Sequence, residues 1–323
     1  MAWNKNSYGQ SILAIAAKIG PIGNVYFVAN SSNTDEANYQ HMQDIFTPDN
    51  DGKARFYTSL ATAYAATESN NNDVIILDGN STHTLTAELN VSKNRVHFVG
   101  MDYLLGIHRK QGQSAKINIG VTTATGDVSA ILNTVRNSFR GLKISNSNTL
   151  TQALYAFADG EFTYMEDCEV VYLAKLSTAT VADLACNADT MYVNCSFSTA
   201  NEITANTRPN VLLSSSVAAK KARDVRFEKC DFLYKAGDVD NTFVYGVNAT
   251  DVERLMVFDG CLFYNNLLAA QTMTLMILGA TQTEGSIIVK DSAAYNTTDF
   301  ATAVIFQACN AANAANIEAT QSA

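Results

Sequence analysis

The chain has 323 residues, a formal charge of -9 and a charged fraction of only 16% against 47% apolar. The acidic balance excludes a phosphate-tracking surface: nucleic-acid binding needs clustered Lys and Arg, and the nearest approach, Lys220, Lys221 and Arg223, runs straight into Asp224. No run approaches the roughly 18 apolar residues needed to cross a bilayer, and Asn, Ser, Thr and Ala, residues of turns and flat polar faces, replace the missing charge.

Residues 1–24 read as an arm. Ile12, Leu13, Ile15, Ala16 and Ile19 give a short apolar face at helical spacing, and Gly-Pro-Ile-Gly at 20–23 stops it. Such a helix either caps the end of a domain or docks on a partner. The apolar run at 12–17 is too short for a signal-peptide core and is closed by Lys18. Residues 25–70 form a small α/β cap: a strand at 25–29, a helix over 35–46 with acidic residues in its first turn, a surface turn at 47–54, and a second helix over 57–67 with Leu60 and Tyr64 on one face.

From residue 71 to 308 the pattern changes to short strands between polar turns. Over 72–100 these fall at 74–77, 83–85, 89–91 and 96–99. Arg95 and His97 alternate with Val96 and Phe98, which points them outward together, with His83 as a neighbour on the preceding coil. An outward pair of this kind suits a solvated face or an anionic sugar.

A frame then repeats. An apolar residue is followed after two positions by Cys and after one more by an apolar residue in Tyr192, Cys195, Phe197; in Phe227, Cys230, Phe232; and in Phe258, Cys261, Phe263. Looser copies are Met165, Cys168, Val170; Phe139, Leu142, Ile144; Val289, Ser292, Ala294; and weakly Phe98, Met101, Tyr103. The middle positions recur at 101, 142, 168, 195, 230, 261 and 292, at intervals of 26 to 41 residues, which is the signature of a solenoid. The step of two from Cys to the next apolar residue keeps both on one face of a strand, but the step of three before it puts them on opposite faces unless the chain bends. Glu166-Asp167, Val193-Asn194, Glu228-Lys229 and Asp259-Gly260 stand where that bend is needed.

The expectation is an all-β right-handed parallel β-helix solenoid with a small α/β N-terminal cap. Cys168, Cys195, Cys230 and Cys261 then form an internal ladder with Phe197, Phe232 and Phe263 beside it. Six cysteines could mean disulfides or a metal site, but no C-x-x-C and no Cys/His pair at ligand spacing occurs, so buried reduced thiols are the expected state. Cys186 and Cys309 lie outside the frame and receive no role. The stretch at 267–280 is the most continuously apolar and has to pack inward or against another copy, and 309–323 is an Ala/Asn-rich tail.

A helical segment, a strand ending in a Gly turn, and alternating strands closing on Val96-His97-Phe98-Val99-Gly100 resemble the opening coils of pectin-lyase-like β-helix proteins, over about residues 70–300. That superfamily includes polysaccharide lyases, polygalacturonases, and tailspikes and other structural proteins of bacteriophages. The polygalacturonase resemblance implies N-T-D, D-D, G-H-G and R-I-K motifs with paired carboxylates as acid and base. Here Asn33-Thr34-Asp35 matches the first alone, ahead of the solenoid. Pectate lyases imply aspartate clusters for calcium and a base arginine, whereas Arg208-Pro209 has no acidic cluster beside it and Asp238-Val239-Asp240 is a lone turn pair. No Ser/His/Asp arrangement, phosphate-binding Gly loop or metal cluster emerges, and no cofactor is expected.

The leading expectation is therefore a non-enzymatic virion structural protein of a tailed bacteriophage, a trimeric capsid decoration or head-fibre protein. It would assemble in the bacterial host cytoplasm and contact itself, the major capsid protein or another virion protein, with no nucleic acid and no membrane as partner. The alternative is a tailspike-like receptor-binding protein that binds or depolymerises bacterial surface polysaccharide. A secreted lyase or adhesin ranks last, because no segment reads as a leader.

Overall fold

The computed structural model describes residues 22–30, 37–46, 55–79, 82–120, 129–147, 154–173, 181–198, 209–213, 221–236, 241–248, 250–266, 273–279, 284–301 and 319–322. The arm residues Ile12, Leu13, Ile15 and Ile19, the Asn33-Thr34-Asp35 triplet, Arg208, Asp238-Val239-Asp240 and Cys309 fall outside these.

The chain winds through three parallel sheets in turn. One full coil runs from Thr163–Glu166 in the first sheet to Glu169–Tyr172 in the second, Ala182–Cys186 in the third, and back to Met191–Val193 in the first. Among the described residues the first sheet has ten strands, the second nine and the third eight, and within the solenoid each strand between the sheet ends pairs with its equivalents one coil before and after. The fold is a right-handed parallel β-helix, all-β as expected.

The corners explain why the frame bends. Asp167, Asn194, Lys229 and Gly260, the second residue of each bending pair, have φ of 53°, 52°, 53° and 63°. Gly141 and Asp291 occupy the same place in the looser copies, at 61° and 48°. This left-handed conformation is open to Gly and tolerated by Asn and Asp, so one residue turns the chain between sheets and returns the following Cys to the interior. The corner amides form a ladder of their own: the Asp167 amide donates to the Val193 carbonyl at 3.1 Å, Asn194 to Glu228 at 2.8 Å, and Lys229 to Asp259 at 2.8 Å.

Inside the corner the structure places Cys168, Cys195, Cys230 and Cys261 on successive coils, all buried and unpaired by disulfides. Burial pushes the thiols of Cys195 and Cys261 well up. Each sulfur lies within hydrogen-bonding reach of the carbonyl two residues back, as with Cys195 and Val193 at 3.3 Å. At the next copy Ser292 takes the thiol's place, accepts the Cys261 amide at 2.9 Å and donates to the Lys290 carbonyl. Beside the thiols run two stacks of rings. Tyr192, Phe227 and Phe258 stack with centroids 4.6 and 4.8 Å apart, and Phe197, Phe232 and Phe263 with 5.2 and 4.6 Å. The two stacks meet edge to face, Phe227 on Phe232 at 5.4 Å.

The cap is continuous with the solenoid. Val25–Val28 pairs in parallel with Asp73–Leu77 on one side and Phe56–Tyr57 on the other, so the first sheet extends through it. Two helices cover it. Ala37–Phe46 packs on the outer face, where Phe46 stacks on Phe27 at 5.4 Å and Tyr39 meets Phe56 edge-on. Leu60–Ala66 closes the end of the interior with Leu60, Ala63 and Tyr64. Its last carbonyls, those of Ala65 and Thr67 included, accept from Lys93 Nζ at 2.8 and 2.7 Å, which satisfies acceptors a helix end leaves open. At the other end Met273–Gly279 lies in the third sheet, and Ala319–Ser322, within the Ala/Asn-rich tail, pairs with Ser292–Tyr295.

One copy of the frame does not hold. After the strand Val96–Gly100 the chain enters a short helix, Met101–Leu104, and reaches the second sheet only at Lys116–Ile119. Lys143–Asn146 pairs with Lys116–Ile119, so the place that Leu142 fills in the next coil belongs to Ala115 and not to Met101. Residues 101–114 are an insertion.

Candidate functional site

The insertion is a polar strap laid along the outside of the solenoid. Its root needs glycine: a Cβ on Gly100 would stand 2.1 Å from the Gly141 carbonyl oxygen, and one on Gly141 2.5 Å from the Tyr103 Cβ. The short helix ends where the Gly106 amide donates to the Tyr103 carbonyl at 3.1 Å and Ile107 to Asp102 at 3.0 Å, with Gly106 at φ 78°. Beyond that turn the strap crosses successive coils. His108 Nδ1 faces Asp167 Oδ2 at 2.6 Å, the Gly112 amide donates to Glu169 at 3.0 Å, Gln111 donates to Ser196 at 3.3 Å, and Lys110 reaches Asp231 at 2.7 Å. Gln113 is fully buried and donates to the Asp167 carbonyl at 2.5 Å. Coils rise about 4.8 Å each, so a strap that leaves the first sheet at Gly100, enters the second at Lys116 and reaches the Asp231 coil through Lys110 ties together a stretch of solenoid that backbone pairing joins only step by step.

Under the strap's root the outer face of the first sheet carries one connected network. In-register pairing aligns Val99, Arg140, Glu166 and Val193 in one outward row and His97, Ser138, Tyr164 and Met191 in the next. Glu166 Oε2 accepts from the Tyr103 hydroxyl at 2.9 Å and the Tyr164 hydroxyl at 3.1 Å, and lies 3.4 Å from Arg140 Nε. The Arg140 guanidinium sits over the Tyr164 ring, 4.8 Å from its centroid, and donates to Ser138 Oγ at 2.5 Å. Ser138 in turn meets His97 Nδ1 at 2.7 Å.

Arg140 and Glu166 are 7% and 8% exposed, so this is a buried ion pair with its remaining polar positions largely filled. Burial first and Arg140 second hold the His97 imidazole down to about 4. Burial, reinforced by Glu166, pushes the Tyr164 hydroxyl up to about 12 and that of Tyr103 higher still. At neutral pH the network thus holds a neutral imidazole and two protonated phenols.

A second polar thread runs inside the solenoid. Asn137 donates to Asn133 at 2.8 Å, Asn133 to Thr163 at 2.6 Å, and Thr163 to Asp159 Oδ1 at 2.5 Å, while Tyr192 donates to Asp159 Oδ2 at 2.6 Å. Burial raises the Asp159 carboxyl to about 7, against the lowering effect of those donors. Cys186 lies beside this thread, its thiol pushed up by burial and then by Asp159. At the N-terminal end Asn30, Thr58, Ser59, Leu60, Thr82, His83 and Thr84 line a small cavity of about 210 Å³.

The outward His/Arg expectation requires correction. Arg95 is exposed at a corner with φ 58°, but His97 is half-buried and tied to Ser138 on the following coil. His83 belongs to the second sheet, buried, with Nε2 on the Asp78 carbonyl at 2.9 Å, and is no neighbour of either. The residues that do come together are Tyr103, His108, Arg140, Tyr164, Glu166 and Asp167, and no motif or spacing in the sequence marks any of them for chemistry. One signal was available: the interval from 101 to 142 is the longest in the repeat, and an over-long interval marks an insertion. Among the described residues no group of three or more His, Cys, Asp and Glu is placed to hold a metal ion, and no helix is long and apolar enough to cross a membrane.

No protein-family model matches the chain, and no curated protein does. Among solved structures it is similar to the pectin methylesterase of Aspergillus niger, at 12% identity over 88% of this chain and 83% of that one, with a TM-score of 0.53. It is also similar to pectin methylesterase PemA of Erwinia chrysanthemi, at 13% identity over 87% and 81% with the same TM-score. The pectin methylesterase of Yersinia enterocolitica matches at 10% identity over 76% and 81%, again at 0.53. At such identity the likeness is one of fold, the pectin-lyase-like β-helix.

Proposed function

We propose that the chain is a structural protein of a tailed-bacteriophage particle, a capsid decoration or head-fibre protein whose principal role is architectural, assembled side by side as a trimer. The observation that carries this reading is an outward apolar row at the C-terminal end of the second sheet. Leu233, Tyr264 and Tyr295 stand in register on successive coils, flanked by Leu262 and Ala293. Tyr264 and Tyr295 are 41% and 38% exposed. A solenoid that associates laterally needs such a row, whereas the same face nearer the strap is polar, with Lys143 paired to Glu169 at 2.7 Å. Light scattering on the purified chain tests the reading: a trimer that Tyr264→Glu with Tyr295→Glu reduces to monomer, and that co-sediments with capsids, supports it. A monomer that ignores capsids sinks it.

The second reading is a tailspike-like protein acting on bacterial surface polysaccharide. It is favoured by the fold likeness to carbohydrate-directed enzymes and by the exposed tyrosine pair, Tyr264 and Tyr295, with ring centroids 6.2 Å apart. A glycan array and a reducing-end assay on capsular polysaccharide separate the two, since turnover belongs to the second alone.

A further inference from the structure

We propose that His108 and Asp167 form a reactive imidazole–carboxylate dyad, open to solvent, that cleaves small carboxylic esters. The inference is independent of both roles above. A carboxylate that is 4% exposed faces Nδ1 of an imidazole that is 45% exposed, at 2.6 Å. A buried acceptor at Nδ1 fixes the proton there and leaves the Nε2 lone pair directed away from it, which is how a carboxylate orients a histidine for nucleophilic or base catalysis.

Both members are held from several sides. Asn194 Nδ2 donates to Asp167 Oδ1, the Asp167 amide donates to the Val193 carbonyl at 3.1 Å, and Gln113 donates to the Asp167 carbonyl at 2.5 Å. The Tyr103 ring meets the imidazole edge to face, at 4.8 Å and 90°, and so sets its plane. The other histidines with described side chains lack this arrangement: the ring of His83 is buried, and both ring nitrogens of His97 are used or enclosed. A clasp that served only to pin the strap would work equally well through Lys110 and Gly112, which already reach Asp231 and Glu169.

In the reaction the Nε2 lone pair attacks the ester carbonyl carbon and forms an N–C bond. The C–O bond to the alcohol breaks, and its electron pair leaves with the alcohol oxygen, which takes a proton from solvent. The Nδ1–H stays hydrogen-bonded to Asp167, which stabilises the positive acyl-imidazole. Water then attacks the acyl carbon and gives one of its two protons to solvent, and the C–N bond breaks to return neutral His108 and the acid, which keeps the other. The sum is ester plus water to acid plus alcohol, with no other reactant.

The test uses the full chain with p-nitrophenyl acetate, following nitrophenolate release and locating the trapped acetyl group by mass spectrometry. The expected result is an acetyl adduct on His108 and a rate that His108→Gln lowers about tenfold or more, with Asp167→Asn in between. Asn tolerates the left-handed backbone at 167, and Gln can keep the bond to Asp167, so both variants retain the strap, which circular dichroism and thermal melting check. The acetyl adduct on His108 is the readout that a structural clasp would not give, and nitrogen NMR of His108 checks the premise beneath it: the Nδ1–H tautomer dominates in the native chain, and Asp167→Asn leaves a tautomer mixture. A native rate equal to that of His108→Gln, an adduct on a lysine, or an unchanged tautomer in Asp167→Asn overturns the proposal.

Discussion

The ring-and-thiol interior and the strapped outer face are built on the same coils and obey different rules. Inside, Tyr192, Phe227 and Phe258 repeat one contact with near-parallel rings, 13° and 8° apart, because parallel in-register pairing sets like over like. Outside, the same register sets unlike residues over one another, Val99 over Arg140 over Glu166 over Val193, and the contacts come from a strap that belongs to one coil only. The interior gains from repetition, while the outer face gains from an exception to it.

Substitutions sharpen that contrast. Phe227→Ala or Phe258→Ala removes a fully buried ring with neighbours in both stacks and should cost about 3–5 kcal/mol by urea denaturation. Arg95→Ala, at an exposed corner, should cost under about 0.5 kcal/mol. Equal losses would show that the interior ladder is not what holds the coils. On the outer face Arg140→Ala leaves Glu166 buried without its cation and should cost about 3 kcal/mol, whereas Glu166→Gln keeps an acceptor for Tyr103 and Tyr164 and should cost less than half as much.

Acid titration sets the two regions against each other. Asp159, inside, has its folded carboxyl raised to about 7 from 3.8, so the native state holds a proton that the unfolded chain lacks between those values, and stability rises as pH falls from 7 towards 4. His97, on the outer face, is lowered to about 4 from 6.5, so the unfolded state holds the extra proton and stability falls as pH drops from 6.5. Burial lowers His83 as well and adds to the effect of His97. Each fully displaced group contributes a slope of about 1.4 kcal/mol per pH unit, so the native chain shows partial cancellation. Asp159→Asn should then lose stability on acidification from pH 6.5, and His97→Gln should lose less than the native chain or gain. Identical pH profiles for the two variants would break the assignment.

Smaller effects fall at the corners. Gly260→Ala forces a Cβ into φ 63° and should cost about 1 kcal/mol, while Lys229→Gly at φ 53° relieves a similar strain and should be neutral to slightly stabilising. Smallest of all, Lys221→Ala breaks a half-exposed pair with Glu284 and should change stability by under about 0.5 kcal/mol.

How much of this was legible in the sequence depends on whether a residue repeats. The bends at Glu166-Asp167, Val193-Asn194, Glu228-Lys229 and Asp259-Gly260 follow from a spacing of three between two residues that both have to face inward. The left-handed φ at the second residue of each is the physical form of that spacing. Met101 has the spacing of the frame and departs from it in the structure, since a single over-long interval does not say where the extra residues lie. His97 alternates correctly and yet is half-buried, because alternation fixes which face a side chain takes but not what covers that face.

The amino-acid order alone determined the winding, the period, the inward residues and the single-residue turns, since these are local geometry repeated until neighbours stack. Only the folded chain decided that His108 meets Asp167, 59 positions away, and that Lys110 meets Asp231, 121 positions away. A solenoid brings distant residues together in proportion to coils and not to residues, and a strap that crosses several coils ignores the period by which the chain can be read.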